Sequence, residues 1–230
     1  MLKHRAVTVV AKRAPQLLPL RHLGRFHYSQ KFLIADGDEY AGVDYASVYE
    51  QYLGPWRRRP FTLLELGVYR GESMRMWRDY FPKARIVGLD IDPEAARRAP
   101  GFEVYVGSQA DPELLGRVTR DLPTIDVVID DASHINELTV ASFHSLFPHL
   151  APGGLYFIED VPRGSGEISD VAAVSGMSLN VDVEFVNRRE AIDELIAEIA
   201  RDTEEGARRR TDFIHVYPRI IVVKRAVDPR

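Results

Sequence analysis

The stretch Ile125-Asp-Val-Val-Ile-Asp-Asp-Ala-Ser-His134 opens as a short β-branched apolar run, breaks into two carboxylates and reaches a histidine three residues past the second. An apolar run of this length, bounded by polar residues, reads as a buried parallel strand. A strand ending in acid and base delivers those groups to the carboxyl edge of a sheet, where open α/β folds bind ligands. Leu155-Tyr-Phe-Ile158 runs into Glu159-Asp160 in the same way.

Working outward, strands are predicted at 61–66, 84–90 and 102–106, alternating with helices at 72–80, 93–98, 112–119 and 136–147. Ser73 is placed to help start the first helix, Pro93 stands near the first turn of the second, and Asn136 or Ser133 would cap the fourth. Pro152-Gly-Gly154 would turn the chain into the strand at 155–158. The class is therefore α/β, a Rossmann-like doubly wound and mostly parallel sheet with helices on both faces. Strands at 213–217 and 219–224, separated only by Pro218, pair as a hairpin and give the sheet an antiparallel C-terminal strand. A charged amphipathic helix is predicted over 188–209, with Ile192, Leu195, Ile196 and Ile199 inward. Residues 161–180 are rich in glycine and serine and long enough to form a substrate loop or lid.

Ahead of the first strand, Tyr45, Val48, Tyr49 and Tyr52 recur at helical spacing within 40–53. No acidic residue precedes Asp36, whereas Lys3, Arg5, Lys12, Arg13, Arg21, Arg25 and Lys31 are all basic. The apolar segment 6–11 is too short for a signal peptide and is interrupted by Lys12-Arg13. The reading is mature protein, with a basic arm and helical extension over 1–58 that packs on the domain or on a second copy, and a catalytic domain over 59–230. A homo-oligomer stays open on that basis.

The totals narrow the function. At 230 residues the chain holds one good core, and 45% apolar with 28% charged residues is ordinary for a globular protein. A net charge of −4 gives no case for nucleic acid or an anionic membrane as partner. The absence of cysteine excludes a disulfide scaffold and cysteine-ligated zinc and fits a cytoplasmic protein. No apolar run approaches the roughly 20 residues that span a bilayer.

The strand ends share a chemistry. Glu65 closes the first, Asp90 and Asp92 the second, Asp130 and Asp131 the fourth, Glu159 and Asp160 the fifth. Such an edge repels a pyrophosphate, and Glu65-Leu-Gly67-Val-Tyr-Arg-Gly71 lacks the G-x-G-x-x-G of dinucleotide sites. A cationic, phosphate-free ligand with ribose hydroxyls suits it, and S-adenosylmethionine has those features. The plainer reading, that an acid caps the helix that follows it, applies to one or two of the set.

These residues resemble the class I S-adenosylmethionine-dependent methyltransferases through Glu65-Leu-Gly67, Gly88-Leu-Asp90 and Leu150-Ala-Pro-Gly-Gly154. More narrowly, the chain is similar to metal-dependent O-methyltransferases that tailor sugars and other hydroxyls of bacterial natural products. They include the mycinamicin-type macrolide sugar methyltransferases and cephalosporin hydroxylase-like relatives. The resemblance runs through Gly71-Glu-Ser73-Met-Arg-Met-Trp77, Gly107-Ser-Gln109-Ala-Asp111, Asp130-Asp-Ala-Ser-His134-Ile-Asn136 and Ile158-Glu-Asp160. It implies Asp131, Glu159 and Asp160 as ligands of Mg2+ or Mn2+ and His134 as general base. It also implies Glu65, Gly67, Gly71, Ser73, Asp90, Ser108, Gln109 and Asp130 along the cofactor. The chain departs from the family where Arg70-Gly71-Glu72 replaces consecutive glycines, and where Ala35-Asp-Gly-Asp-Glu-Tyr40 stands in place of a lysine-bearing motif.

The implied reaction is chemically coherent. A divalent cation acidifies a coordinated hydroxyl, hard carboxylate oxygens favour magnesium or manganese, and an imidazole titrates near neutrality. The acceptor would be a small hydroxylated molecule, with a sugar or vicinal diol the best match. Two other classes stay open. One is a repurposed methyltransferase fold acting as a cyclase or regulatory S-adenosylmethionine binder; the other is a nicotinamide-dependent oxidoreductase. His144 and His149 read as structural or surface residues, Met76 and Trp77 as packing of the first helix, and Tyr45 and Tyr49 as core. Arg208 to Arg210 read as a solvated cluster.

Overall fold

A computed structural model of the chain describes residues 14–27, 45–161, 166–167, 186–206 and 209–227. The expectations for the arm at 1–13, for 35–44 and for most of the loop at 161–180 lie outside them, as does Arg208. Among the described residues nine strands are present: β1 (Thr62–Leu66), β2 (Arg85–Asp90), β3 (Glu103–Val106), β4 (Ile125–Asp130), β5 (Leu150–Ile158), β6 (Gly166–Glu167), β7 (Val186–Asn187), β8 (Thr211–Tyr217) and β9 (Ile220–Arg225). Seven form a sheet of order β3-β2-β1-β4-β5-β9-β8, and β6 pairs with β7 in a separate two-stranded ladder that the sequence did not signal. The chain divides into two compact units, residues 1–106 and 107–230.

In the first unit β1, β2 and β3 run parallel, with Leu64 opposite Val87 and Leu89 opposite Tyr105. Four of the five residues of β1 and five of the six of β2 are buried, the near-continuous burial expected of parallel strands covered on both faces. The helices here are α1 (Leu20–Phe26), α2 (Tyr45–Leu53), α3 (Glu72–Tyr80) and α4 (Pro93–Arg98). In α3 the residues Ser73, Met74, Met76, Trp77 and Tyr80 are buried, a wide stripe at helical spacing. Trp77 stacks on Phe81 with centroids 5.9 Å apart and meets the edge of Tyr49 at 5.0 Å. Tyr45 and Tyr49 are core residues, 3% and 0% exposed. Gly88 in the middle of β2 lets helix and turn approach the sheet, since a Cβ there would lie 2.5 Å from Val68 Cγ2 and 3.0 Å from Met74 Cε. The helix does not start as expected. Gly71, at φ 72°, is the N-cap of α3 and supplies no side-chain cap, and Ser73 lies inside the first turn with its hydroxyl directed to Glu65.

In the second unit β4 and β5 are parallel, while β5–β9 and β9–β8 are antiparallel. The hairpin predicted from Pro218 is present, with Tyr217 opposite Ile220. The helices are α5 (Pro112–Asp121), α6 (Asn136–Leu146) and α7 (Arg189–Thr203). Asp111 caps α5, accepting from the amides of Glu113 at 2.9 Å and Leu114 at 3.2 Å. Neither expected cap serves α6: its N-cap is Ile135, the Ser133 hydroxyl accepts from Ile135 N at 3.2 Å, and Asn136 Nδ2 donates to Arg188 O at 3.0 Å. Serine prefers such a local turn when it stands two residues ahead of the amide it serves. The strand expected at 155–158 begins at Leu150, and Pro152 to Gly154 form an irregularity inside it, where the register jumps from Ile125–Leu150 to Val127–Leu155. Helix α7 ends at Thr203, short of the predicted 209, because Glu204 and Glu205 oppose the dipole at its C-terminus and Gly206 turns left-handed at φ 62°. Arg209 and Arg210 pair with Asp212 at 3.5 Å and Asp202 at 3.4 Å.

Candidate active site

Two strand ends build the site in the second unit. Asp130 closes β4 opposite Ile158 of β5, and the next amide, Glu159 N, donates to Asp130 O at 2.9 Å, which extends the ladder one step past the strands. Asp131 and His134 follow β4, and Asp160 follows β5. His134 Nε2 lies 3.9 Å from Asp131 Oδ1 and 4.0 Å from Asp160 Oδ2, and each of the three side chains is about a quarter exposed. One ligand atom from each falls within 4.8 Å of the others, close enough together that the group could hold a metal ion. His134 and Asp160 are held at φ 56° and 49°, two of the four non-glycine residues with positive φ among those described. Such conformations cost on the order of 1–3 kcal/mol and persist where the surroundings fix them.

Part of what fixes Asp160 comes from a residue the sequence reading passed over. Arg219, in the β8–β9 turn at φ 63°, accepts from Val161 N at 3.1 Å through its carbonyl and brings Nε to 3.6 Å of Asp160 Oδ1. Its only sequence signal was the tight Pro218-Arg219 turn; the proximity to Asp160 is tertiary. Glu159, expected as a third oxygen ligand, is 3% exposed and stands outside the trio that the structure gathers.

Asp130 is enclosed rather than open. It is 2% exposed and accepts from Ser142 Oγ at 2.6 Å, from Gln109 Nε2 at 3.0 and 3.1 Å, and from Tyr156 OH at 3.4 Å. Burial pushes its carboxyl up to about 6, against the lowering effect of the Ser142 hydroxyl, the His134 charge, the Ala132 amide and Gln109. The Tyr156 hydroxyl is raised well above the usual phenol range by burial and then by the neighbouring Asp130 charge. Gln109 is 4% exposed, and Ser108, half-buried, accepts from Ala110 N at 3.2 Å.

In the first unit the other expected residues surround the turn 67–71. Glu65 is 0% exposed, its carboxylate bonded to Ser73 Oγ at 2.9 Å and Trp77 Nε1 at 3.2 Å. Asp90, 3% exposed, accepts from Val68 N and Tyr69 N at 2.8 Å each and from Asp92 N at 2.9 Å, so it organises the backbone of the turn carrying Gly67 and Gly71. Asp92 caps α4 through Glu94 N at 2.9 Å and pairs with Arg98. The helix-cap reading thus applies to Asp92, while Glu65, Asp90, Asp130 and Glu159 are buried. Away from the site, His144 pairs with Glu198 at 3.1 Å, His27 with Asp79 at 2.8 Å, and His215 stacks on Phe213 with centroids 4.3 Å apart. No described helix is long and apolar enough to cross a membrane.

Residues 64–161 match the family model described as a methyltransferase domain. The chain is 39% identical over 131 residues to the 8-demethyl-8-alpha-L-rhamnosyl tetracenomycin-C 2'-O-methyltransferase of Streptomyces olivaceus, covering 54% of this chain and 35% of that protein. It is 38% identical over 144 residues to the mycinamicin VI 2''-O-methyltransferase of Micromonospora griseorubida, covering 58% and 36%. With the demethylmacrocin O-methyltransferase of Streptomyces fradiae it shares 32% over 191 residues, covering 78% and 48%. The chain thus spans between about a third and a half of the length of these relatives. Among solved structures it is similar to the MycE methyltransferase of mycinamycin biosynthesis in complex with Mg, SAH and mycinamycin VI. That likeness has a TM-score of 0.68 and 28% identity over 92% of this chain and 55% of that one. An O-methyltransferase from Bacillus cereus, at 16% identity and a TM-score of 0.52, shares the fold alone. The fold is the Rossmann-like methyltransferase fold with antiparallel C-terminal strands, and the chain resembles the sugar O-methyltransferases of antibiotic pathways.

Proposed function

We propose that this chain is the catalytic part of an S-adenosylmethionine-dependent, magnesium-dependent O-methyltransferase that modifies a hydroxyl, in a sugar or vicinal diol, of a small natural product in the cytoplasm. The observation that carries the proposal is the gathering of Asp131, His134 and Asp160 within 4.8 Å at the ends of two adjacent parallel strands. The hard carboxylate oxygens of Asp131 and Asp160 fit magnesium or manganese, and the imidazole beside them fits a base. Likeness to sugar O-methyltransferases, one of them in a complex with Mg and SAH, supports the same reading.

When bound, S-adenosylmethionine supplies an electrophilic methyl group, and a divalent cation held by Asp131 and Asp160, with Glu159 beside them, lowers the pKa of a hydroxyl. His134 is left to take that hydroxyl's proton at Nε2, which lies 3.9 Å from Asp131 Oδ1 and 4.0 Å from Asp160 Oδ2. In the first unit Gly67, Gly71 and Asp90 are the residues proposed for the cofactor, with Glu65 and Ser73 fixing the base of the turn; in the second unit Ser108 is proposed, with Gln109 and Asp130 behind it. Residues 1–58 would be an extension of the catalytic domain, neither nucleic acid nor membrane is a proposed partner, and a homo-oligomer is open.

Calorimetric titration with S-adenosylhomocysteine, and separately with Mg2+, tests the proposal. Binding of both, with the Mg2+ signal lost in Asp131→Ala, is the expected result. Binding of S-adenosylhomocysteine with no Mg2+ signal would remove the metal from the mechanism, and binding of neither would sink the assignment.

A further inference from the structure

Gln109 was implied as a cofactor residue, yet every polar atom of its side chain is committed inside the protein. Nε2 donates to both oxygens of Asp130 at 3.0 and 3.1 Å and lies 3.3 Å from Ser142 Oγ, and Oε1 accepts from Ser133 N at 2.9 Å. The amide can be oriented in one way only. Rotated by half a turn, it would set its oxygen against a carboxylate and its NH2 against an N–H donor.

Ser133 stands between Asp131 and the left-handed His134. Its amide is tied back to Gln109, and its hydroxyl accepts from Ile135 N at 3.2 Å, which closes the turn on the far side. Asp130 is itself anchored to α6 through Ser142 and to β5 through Tyr156. We infer that Gln109 is a positioning residue for the proposed catalytic loop: it transmits the rigid buried Asp130 anchor to Ser133 N, and so holds Asp131 and His134 in place. This rests on the proposed function only in giving that loop a metal and a proton to handle.

The role differs from filling a buried polar hole, and a pair of variants separates the two. Gln109→Met keeps the length of the side chain and removes the bond to Ser133 N. Ser142→Ala removes the 2.6 Å bond to the same carboxylate and a 3.3 Å contact with Gln109 Nε2, but leaves the bonds from Gln109 to Asp130 and to Ser133 N in place. Hydrogen exchange without metal, read with Mg2+ titration, is the test. In Gln109→Met, residues 131–135 should exchange at least about tenfold faster than in the wild type while β4 and β5 do not, and Mg2+ affinity should fall about tenfold. In Ser142→Ala, thermal stability should drop while loop protection and Mg2+ affinity change by less than about threefold, because Gln109 keeps its bonds to Asp130 and to Ser133 N.

Equal loop protection in Gln109→Met and wild type, or the same loss in both variants, overturns the inference. A second measurement needs no variant: in the wild type the Ser133 amide should be protected like the core amides of β4, although the residue is only half-buried. If it exchanges as freely as an open loop, the inference falls. Should the wild type bind no Mg2+ while protection is lost only in Gln109→Met, the metal reading fails and the hold of Gln109 on the loop stands.

Discussion

Asp130→Asn should flatten the pH dependence of stability between about pH 4 and pH 6. The Asp130 carboxyl rises from its ordinary 3.8 to about 6 in the folded protein, chiefly through burial. Between those values the folded state holds a proton that the unfolded state has released, so stability falls as pH rises and levels off above about 6. The interval corresponds to about 3 kcal/mol, and at 2% exposure solvent screening does little to reduce it. Asparagine cannot ionise. In acid the folded wild type already carries a neutral carboxyl there, so the asparagine amide differs least from it at pH 4. Relative to the variant, the wild type should then lose about 2.5 kcal/mol as pH is raised from 4 to 7. Urea denaturation of both proteins across that range, with chelator throughout, measures it, because groups that do not interact with Asp130 cancel in the difference. A gap constant to within about 0.5 kcal/mol would mean that Asp130 is not a buried, reluctantly ionised acid.

Three further outcomes are expected. His134→Ala should abolish methyl transfer to the true acceptor while calorimetric S-adenosylhomocysteine affinity stays within about twofold; retained turnover would remove His134 from the role of base. Gly88→Ala should cost about 1–3 kcal/mol in urea denaturation, since its Cβ would lie 2.5 Å from Val68 Cγ2 and something must move. Ser73→Ala takes a hydroxyl donor from the fully buried Glu65 carboxylate and should cost about 1.5–3 kcal/mol, read as a lower urea midpoint with an unchanged slope.

What the sequence could tell depended on how local each signal was. The runs at 62–66, 85–90 and 125–130 are buried along nearly their whole length, so apolarity alone located them. The Pro218 hairpin was equally plain, because two β-branched runs with almost nothing between them have few other ways to pair. Helix starts were harder. Ser73, Ser133 and Asn136 all have cap-forming side chains, and each found another partner: a buried carboxylate, the next-but-one amide and a carbonyl from a distant segment. At the site, Asp131, His134 and Asp160 were legible because they abut strand ends. Glu159 was legible as an acid but not as a buried one, since burial of one member of an adjacent pair depends on the twist beyond the strand. Arg219 carried no local sign of its neighbour, because what brings it to Asp160 is the antiparallel return of β9 along β5.

That return has a consequence for how the protein is made. The chain emerges N-terminus first, so Asp131, Glu159 and Asp160 leave the ribosome well before Arg219 does. Until the closing hairpin docks, the cluster of acids lacks this positive neighbour, and the backbone of Val161 lacks the carbonyl that receives its N–H. The nascent domain therefore carries a provisional site, and β8 and β9, synthesised after it, both close the edge of the sheet and finish its chemistry.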